Sequence, residues 1–419
     1  MNRNIGAIAP LCAVAALLQT STAWAGEASS AAAPTGASTI AEAITGGKLI
    51  LDLRPRLESV DQDNLAREAE AFTVRTQLGW QTGVWNGFQG QLAVANVSHI
   101  GAEHYNTTNN GKTKYPVIAD PDTTELNRAQ LSWTLPKTLT VTLGRQVILI
   151  DDQRFVGDVN WRQDEQTFDA ARVDAARGPF SGTYIYLGHV NRVFAQAQDW
   201  NSDSHLLNLA LSASPALKLE GFYYALDFTT PTAAARAAST QTTGVRVSGG
   251  FKPAPFQVGY SATYAHQTPY GANPGRFDLD YWQGGASGTL GLVTLKANYE
   301  SLGGDGVRGF ATPLATLHAF QGWADVFLTT PAKGIQDANV VASVKLPIAF
   351  EHFHDGELFV RYHDFETVTT GKPLGTELDL QATASLTPHL STIAKVAAYH
   401  GVAGFPSRTK VWFGFEYKY

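Results

Sequence analysis

The sequence predicts an all-β protein, a transmembrane antiparallel β-barrel of about 18 strands, with about 16 as the alternative because such barrels favour even counts. Three observations predict it. Segments of about ten residues alternate apolar and polar side chains along most of the chain. The N-terminus is built like a secretory signal, and the last strand has one wholly apolar and aromatic face. Alternation alone would also suit a soluble sandwich, with one sheet face in a core and the other in water. The two ends of the chain therefore decide the matter.

At the N-terminus, Arg3 precedes an apolar stretch from Ile5 to Leu18 and a small-x-small cleavage site at Ala23-Trp24-Ala25. Residues 1–25 therefore read as a signal peptide. Cleavage would remove Cys12 and Met1, the single cysteine and single methionine of the sequence. A mature chain without a thiol excludes disulfides, thiol nucleophiles and cysteine-ligated metals. Residues 26–45 are mostly Ala, Ser, Thr, Gly and Pro, too poor in large side chains to bury a core, and read as a flexible periplasmic lead-in. The barrel is expected over residues 46–419.

The strands follow from period-two patterning. In Val293–Glu300 the odd positions are apolar and the even ones polar or charged; Leu378–Leu386 and Phe256–Tyr264 alternate in the same way. The 39 glycines and 11% aromatic residues suit tight turns and interfacial girdles rather than a helical enzyme. No later apolar run reaches the length a membrane helix needs. Trp80, Trp85, Tyr223, Tyr224, Tyr281 and Trp282 lie near strand ends and are expected to form the girdles. Long loops are expected at Glu103–Thr123, Asp151–Glu165, Pro231–Thr240 and Gly303–Leu317. A formal net charge of −6 gives no support for a nucleic-acid partner.

The last strand places Val411, Phe413, Phe415, Tyr417 and Tyr419 on one face, and Lys410, Glu416 and Lys418 on the other. Gly414, Tyr417 and Tyr419 resemble the C-terminal signal by which bacterial outer-membrane barrels meet the barrel-assembly machinery. A monomer in outer-membrane lipid is the expectation.

If the apolar faces meet lipid, parity assigns the opposite faces to the lumen. The inward set then includes Arg54 and Arg56 beside Asp52 and Glu58, with Arg75, Arg128, Arg172, Arg246, Arg361, Lys218, Lys296, Lys345 and Lys395. Asp174, Glu220, Asp278, Asp280, Glu300, Asp325 and Asp379 supply the opposite charge. Guanidinium groups stay charged and fork towards carboxylates, so a group of them can select anions. The same groups can instead knit the barrel wall.

The densest polar segment runs from Leu143 to Ala170, where alternation breaks down and the chain reads as a loop folded into the pore. Its Gly144-Arg145-Gln146, Asp152-Gln153-Arg154-Phe155 and Trp161-Arg162-Gln163-x-x-Gln166-Thr167-Phe168-Asp169-Ala170 runs resemble the alginate-export family of outer-membrane porins. That resemblance implies an 18-stranded monomeric barrel with an arginine-rich constriction. It nominates Arg145, Arg154, Arg162, Asp164, Asp169 and Arg172. The function it implies is passive diffusion of an alginate-like uronate polymer, or of small acidic solutes, with no catalysis and no cofactor.

Two other classes compete. A lipase-like barrel enzyme would need a Ser and a His together at the lipid-facing rim. His99, His104, His189, His205, His266 and His363 are present, but without a serine nucleophile signature they read as girdle or loop residues. His352-x-His354-Asp355 reads as a polar turn rather than a zinc site. A secreted glycan-binding β-sandwich would share the signal peptide and the alternation.

Overall fold

The computed structural model describes residues 36–347, 354–402 and 404–419. The signal peptide, the first half of the lead-in, Glu351 and His352 lie outside the described residues. The first nine strands are β1 (Lys48–Gln62), β2 (Ala69–Gln81), β3 (Phe88–His99), β4 (Thr123–Leu135), β5 (Leu139–Gln146), β6 (Thr167–Arg177), β7 (Phe180–Asn191), β8 (Trp200–Ser214) and β9 (Leu217–Leu226). The remainder are β10 (Thr240–Phe251), β11 (Phe256–Pro269), β12 (Leu279–Leu290), β13 (Val293–Leu302), β14 (Ile335–Leu346), β15 (His354–Glu366), β16 (Pro373–Thr387), β17 (Leu390–Gly401) and β18 (Arg408–Lys418).

Each strand pairs antiparallel with its sequence neighbours, and β1 also pairs with β18, in register Asp52↔Lys418 and Glu58↔Trp412. An 18-stranded sheet closed in this way leaves no edge, which is what a hydrocarbon surround requires of a backbone. Closure also removes the two-sheet sandwich from consideration. Short turns join the strands at one end, and long loops join them at the other. In the two-residue turns after β6 and β12, Gly178 and Gly291 take φ of 60° and 57°, the left-handed backbone that tight hairpins need.

Parity holds along the terminal strand: Val411 and Phe413 are exposed, whereas Lys410, Trp412 and Glu416 are buried inside. Val245, Leu295 and Val340 are each more than half exposed and belong to the same outer band. In a bilayer this band is the lipid contact and the polar faces line the interior.

Four expectations need correction. The end of the lead-in is helical: α1 (Ile40–Thr45) starts at Thr39, whose side chain accepts from the Glu42 N–H, and Ala43 is buried. Tyr224 and Tyr281 are buried inside and do not join the outward Tyr223 and Trp282. Asp278 and Asp280 are exposed; Asp280 shares the outer face of Trp282 and meets His266 and Tyr264, because Leu279 and Tyr281 take the inner positions. The loop expected to end at Leu317 continues to the start of β14 at Ile335.

Replacing Val340 by Arg in the middle of the outer band is expected to cost about 2–4 kcal/mol. Urea unfolding of the barrel refolded in lipid vesicles measures this as a lower midpoint.

Candidate functional site

Residues 147–166 after β5 and residues 303–334 after β13 enter the barrel, and the loop after β3 brings the buried Asp120 to them. The strand leading into the first is shaped at Gly144, whose φ of +105° lets the β5 backbone press against the Ala129 carbonyl. Beyond it, the Gln146 amide donates to the backbone oxygens of Gly144 and Ala170, tying off the strand end. Phe155 then sinks into an aromatic nest, its ring 5.0 Å from Phe222 and 5.3 Å from Tyr281, with Phe310 of the second loop closing over it. The loops are joined to each other as well: Gly157 N–H donates to Leu314 O at 2.8 Å and Thr316 N–H to Gln153 O at 3.1 Å.

On the opposite side the first loop rests on arginines of β1 and β2. Arg54 and Arg75 face each other across the two strands, an unfavourable pairing unless both guanidiniums find acceptors. They do. Arg54 donates to the Asn160 carbonyl at 2.7 Å, to the Arg162 carbonyl, and to Gln163 Oε1 at 2.9 Å. Arg56 donates to the Trp161 carbonyl and to Asp120 at 2.5 Å. Arg75 reaches Asn160 Oδ1 at 2.5 Å, Asp52 at 2.6 Å and Glu416 at 3.2 Å. Three consecutive carbonyls, of Asn160, Trp161 and Arg162, are thus satisfied by two buried side chains.

Arg162 reaches Asp325 of the second loop at 2.8 Å and Glu58 at 3.3 Å. Asp325 also accepts from Lys410 at 2.7 Å and from His318 Nδ1 at 2.7 Å, while Lys395 Nζ lies 2.7 Å from His318 Nε2. Burial, with the charges of Lys395 and Lys410, pushes His318 down to about 3, so the neutral ring donates to Asp325 and accepts from Lys395. Burial alone would raise Asp325, but His318, Lys410 and Arg162 hold it well below the usual carboxylate range. Burial likewise opposes the charge of Arg162, and Glu58, Asp325 and Asp120 outweigh it. Lys395 is roofed by Trp323 at 3.4 Å and Trp161 at 4.0 Å, one from each loop. Gly322, at φ +82°, keeps a side chain away from Glu377, which accepts the Ala324 N–H at 2.7 Å.

The other nominated residues are placed less centrally. Arg154 binds Glu300 at 2.5 Å and Thr312 at 3.0 Å, beneath the aromatic nest. Arg128 pairs with Glu165 at 2.9 Å, Arg246 with Asp152 at 2.6 Å and Arg172 with Asp174 at 2.7 Å. Arg361 donates to the Ala319 carbonyl at 3.1 Å and lies over Trp323. Asp164 is buried near Glu125 and Asp199; burial and those two charges raise it well above the usual carboxylate range. Arg145 and Asp169 pair at 2.7 Å, but half-exposed on the face of Leu143 at the loop end, outside the arginine cluster. His363 is no girdle residue: it is fully buried between Asp337 and Asp379.

The sequence reading missed the second loop's part in the cluster. Its signal was present in Trp323, Phe327 and the absence of period-two patterning up to Ile335. Lys410 was visible on the inner face of the last strand but not as a partner of Asp325.

A family model described as "Alginate export" matches residues 48–287, more than half of the chain. No curated protein matches. Solved structures share the fold at low identity. Pseudomonas aeruginosa OccK9 (OpdG) aligns with a TM-score of 0.70 at 14% identity, over 90% of this chain and 100% of that one. Acinetobacter baumannii OccAB4 gives 0.69 at 11%, over 89% and 98%. Pseudomonas aeruginosa OpdK, solved with vanillate, gives 0.65 at 12%, over 89% and 98%.

Asp325→Asn leaves Arg162, Lys410 and His318 short of their shared carboxylate, and stranding buried charges typically costs about 3–5 kcal/mol. Faster amide exchange across 147–166 and 303–334, with the strands unchanged, is the expected result. A second expectation concerns pH. Burial, with help from Glu165, pushes Asp158 up to about 7, above its ordinary 3.8. Its contribution to seating the loop is therefore fully present below about 3.8 and lost as pH rises through about 7. Exchange of 147–166 should quicken from pH 5.5 to 8.5 beyond the intrinsic rate change, and Asp158→Asn should flatten that difference.

Proposed function

This chain belongs to the alginate export family of outer-membrane porins, and from that premise we propose that it passes small acidic solutes, uronate sugars and their short oligomers among them, by passive diffusion. The observation that carries this reading is the row of arginines seated around the first inward loop, with donors left over. The Nε atoms of Arg56, Arg75 and Arg361 and the indole N–H groups of Trp161 and Trp412 are buried without a hydrogen-bond partner among the described residues. Buried donors without acceptors are costly, and an anion or a hydroxyl-bearing solute would satisfy them once neighbouring side chains move aside to admit it.

The chemistry is exchange. Arg56 is held by Asp120, and Arg162 by Glu58 and Asp325. A solute carboxylate arriving at either guanidinium meets a group already prepared for a carboxylate, and the displaced Asp120 or Glu58 keeps another donor, the Gln163 N–H and Lys410 respectively. Weak hydration of the guanidinium lowers the barrier to each trade. The lumen as folded favours small solutes, because a long chain would have to displace both loops and the aromatic nest that anchors them. OpdK, one of the structural neighbours, was solved with vanillate, itself a small carboxylate. The closed single-chain barrel would work as a monomer, delivered to the outer membrane through its terminal strand, with the short turns facing the periplasm.

Planar-bilayer measurements test this directly. The native channel should show an anion-shifted reversal potential and a current reduced by added glucuronate oligomers. Arg154→Gln combined with Arg162→Gln, in barrels selected by heat-modifiable gel migration, should weaken both effects; unchanged selectivity and unchanged block in that variant would sink the proposal.

A further inference from the structure

A cavity of about 150 Å³ lies beneath the first inward loop, on the side of the short turns. Its wall comes from Arg172 on β6, Ser181 near the start of β7, Asn208 on β8, and Lys218 and Glu220 at the start of β9. Its roof is the loop segment Leu149-Ile150-Asp151. Ser181, Lys218 and Glu220 sit one to a few residues from the turns that begin their strands, so a solute from that end meets this cavity before it meets the loop.

The volume equals that of about five liquid waters and falls well below the roughly 300–1,000 Å³ of drug-sized sites. One small molecule of about the size of a single sugar ring fits. The charges argue against a bare anion, which would meet the carboxylates of Asp151, Glu220 and Asp174 close to its two cations. Donors and acceptors instead alternate. Arg172 spends Nε and Nη2 on Asp174, which leaves Nη1 without a hydrogen bond among the described residues. Lys218 is held by Glu220 at 2.5 Å, and Asn208 donates to Asp151 at 3.0 Å. Leu149, although inside the barrel, is 37% exposed and presents an apolar surface to the cavity. Burial, with the nearby Glu220, pushes Asp151 up to about 7, so near neutrality its carboxyl is present both as donor and as acceptor.

We propose that this cavity is a binding subsite for a single pyranose ring, reached from the short-turn end. Ring hydroxyls, each a donor and an acceptor, match the alternating wall, and the C–H face of the ring lies against Leu149 and Ile150. This assignment rests on the channel reading above and names the ring, not the carboxylate, as what the turn side of the lumen recognises. The arginine row then selects charge farther along the same path.

The test is isothermal titration of the full chain in detergent with glucose and, separately, with glucuronate, on the native protein and on Asn208→Leu and Lys218→Met. Both sugars should bind the native protein, and each variant should lose about tenfold in affinity, the loss expected for one good hydrogen bond. Arg154→Gln with Arg162→Gln should leave glucose affinity unchanged while altering ion selectivity, which separates this proposal from the channel reading. Binding of glucuronate without glucose would overturn it in favour of a simple anion site. Equal affinity in native and variant proteins would overturn it as well, and agreement between the two variants guards against a folding artefact in either.

Discussion

Hydrocarbon offers no hydrogen bonds, and the rest of this structure follows from that constraint. A sheet in lipid cannot leave an edge, so β1 must find β18. Closure turns alternation into an inside and an outside. An 18-stranded ring encloses more space than its own inward side chains can fill. The 147–166 and 303–334 loops occupy that space, and in doing so they carry backbone polar groups into a dry interior. Those groups need partners there as much as the strands do.

Arginine fits that need better than lysine. One guanidinium presents five N–H groups in a fixed plane, enough to serve several carbonyls and a carboxylate together. Arg54 satisfies two loop carbonyls and an amide oxygen, and Arg56 serves a carbonyl and Asp120. Charge brought inside must itself be balanced, and Asp325 meets that requirement for Arg162 and Lys410 at once. The first loop is thus held ionically against β1 and β2, and by aromatic packing against β9 and β12.

Parity read from the terminal strand located Arg54, Arg56, Arg75, Arg128, Arg246 and Arg361 on inner faces, because one apolar face fixes the phase of a strand. The misplaced pair came from the motif resemblance and not from parity: the family runs nominated Arg145 and Asp169, whereas alternation puts Arg145 on the side of the outward Leu143 and Asp169 opposite the buried Phe168 and Ala170. Tyr281 failed for another reason. A strand-end tyrosine looks the same in sequence whether it faces a lipid interface or an aromatic nest, and only the returning loop with Phe155 and Phe310 distinguishes them. Asp325 was legible as an acid but not as a hub, since its partners come from β18 and from the other inward loop.

The division of labour within each guanidinium bears on how a channel can be both plugged and permeable. The loop hangs chiefly from its own carbonyls, at Asn160, Trp161 and Arg162. The carboxylates Asp120 and Glu58 occupy other edges of the same cluster. Exchange of Asp120 for a solute carboxylate at Arg56 need not release the Trp161 carbonyl, provided that Asp120 keeps its other oxygen on the Gln163 N–H of the loop, which it accepts at 2.8 Å. The same reasoning explains the loop's fixed seat. Carbonyl bonds to a permanently charged donor do not titrate in the physiological range, whereas carboxyl groups such as Asp158 do. On the function proposed above, selectivity would rest on the exchangeable carboxylate contacts, while the loop's position draws both on the carbonyl contacts and on the pairs of Arg162 with Glu58 and Asp325.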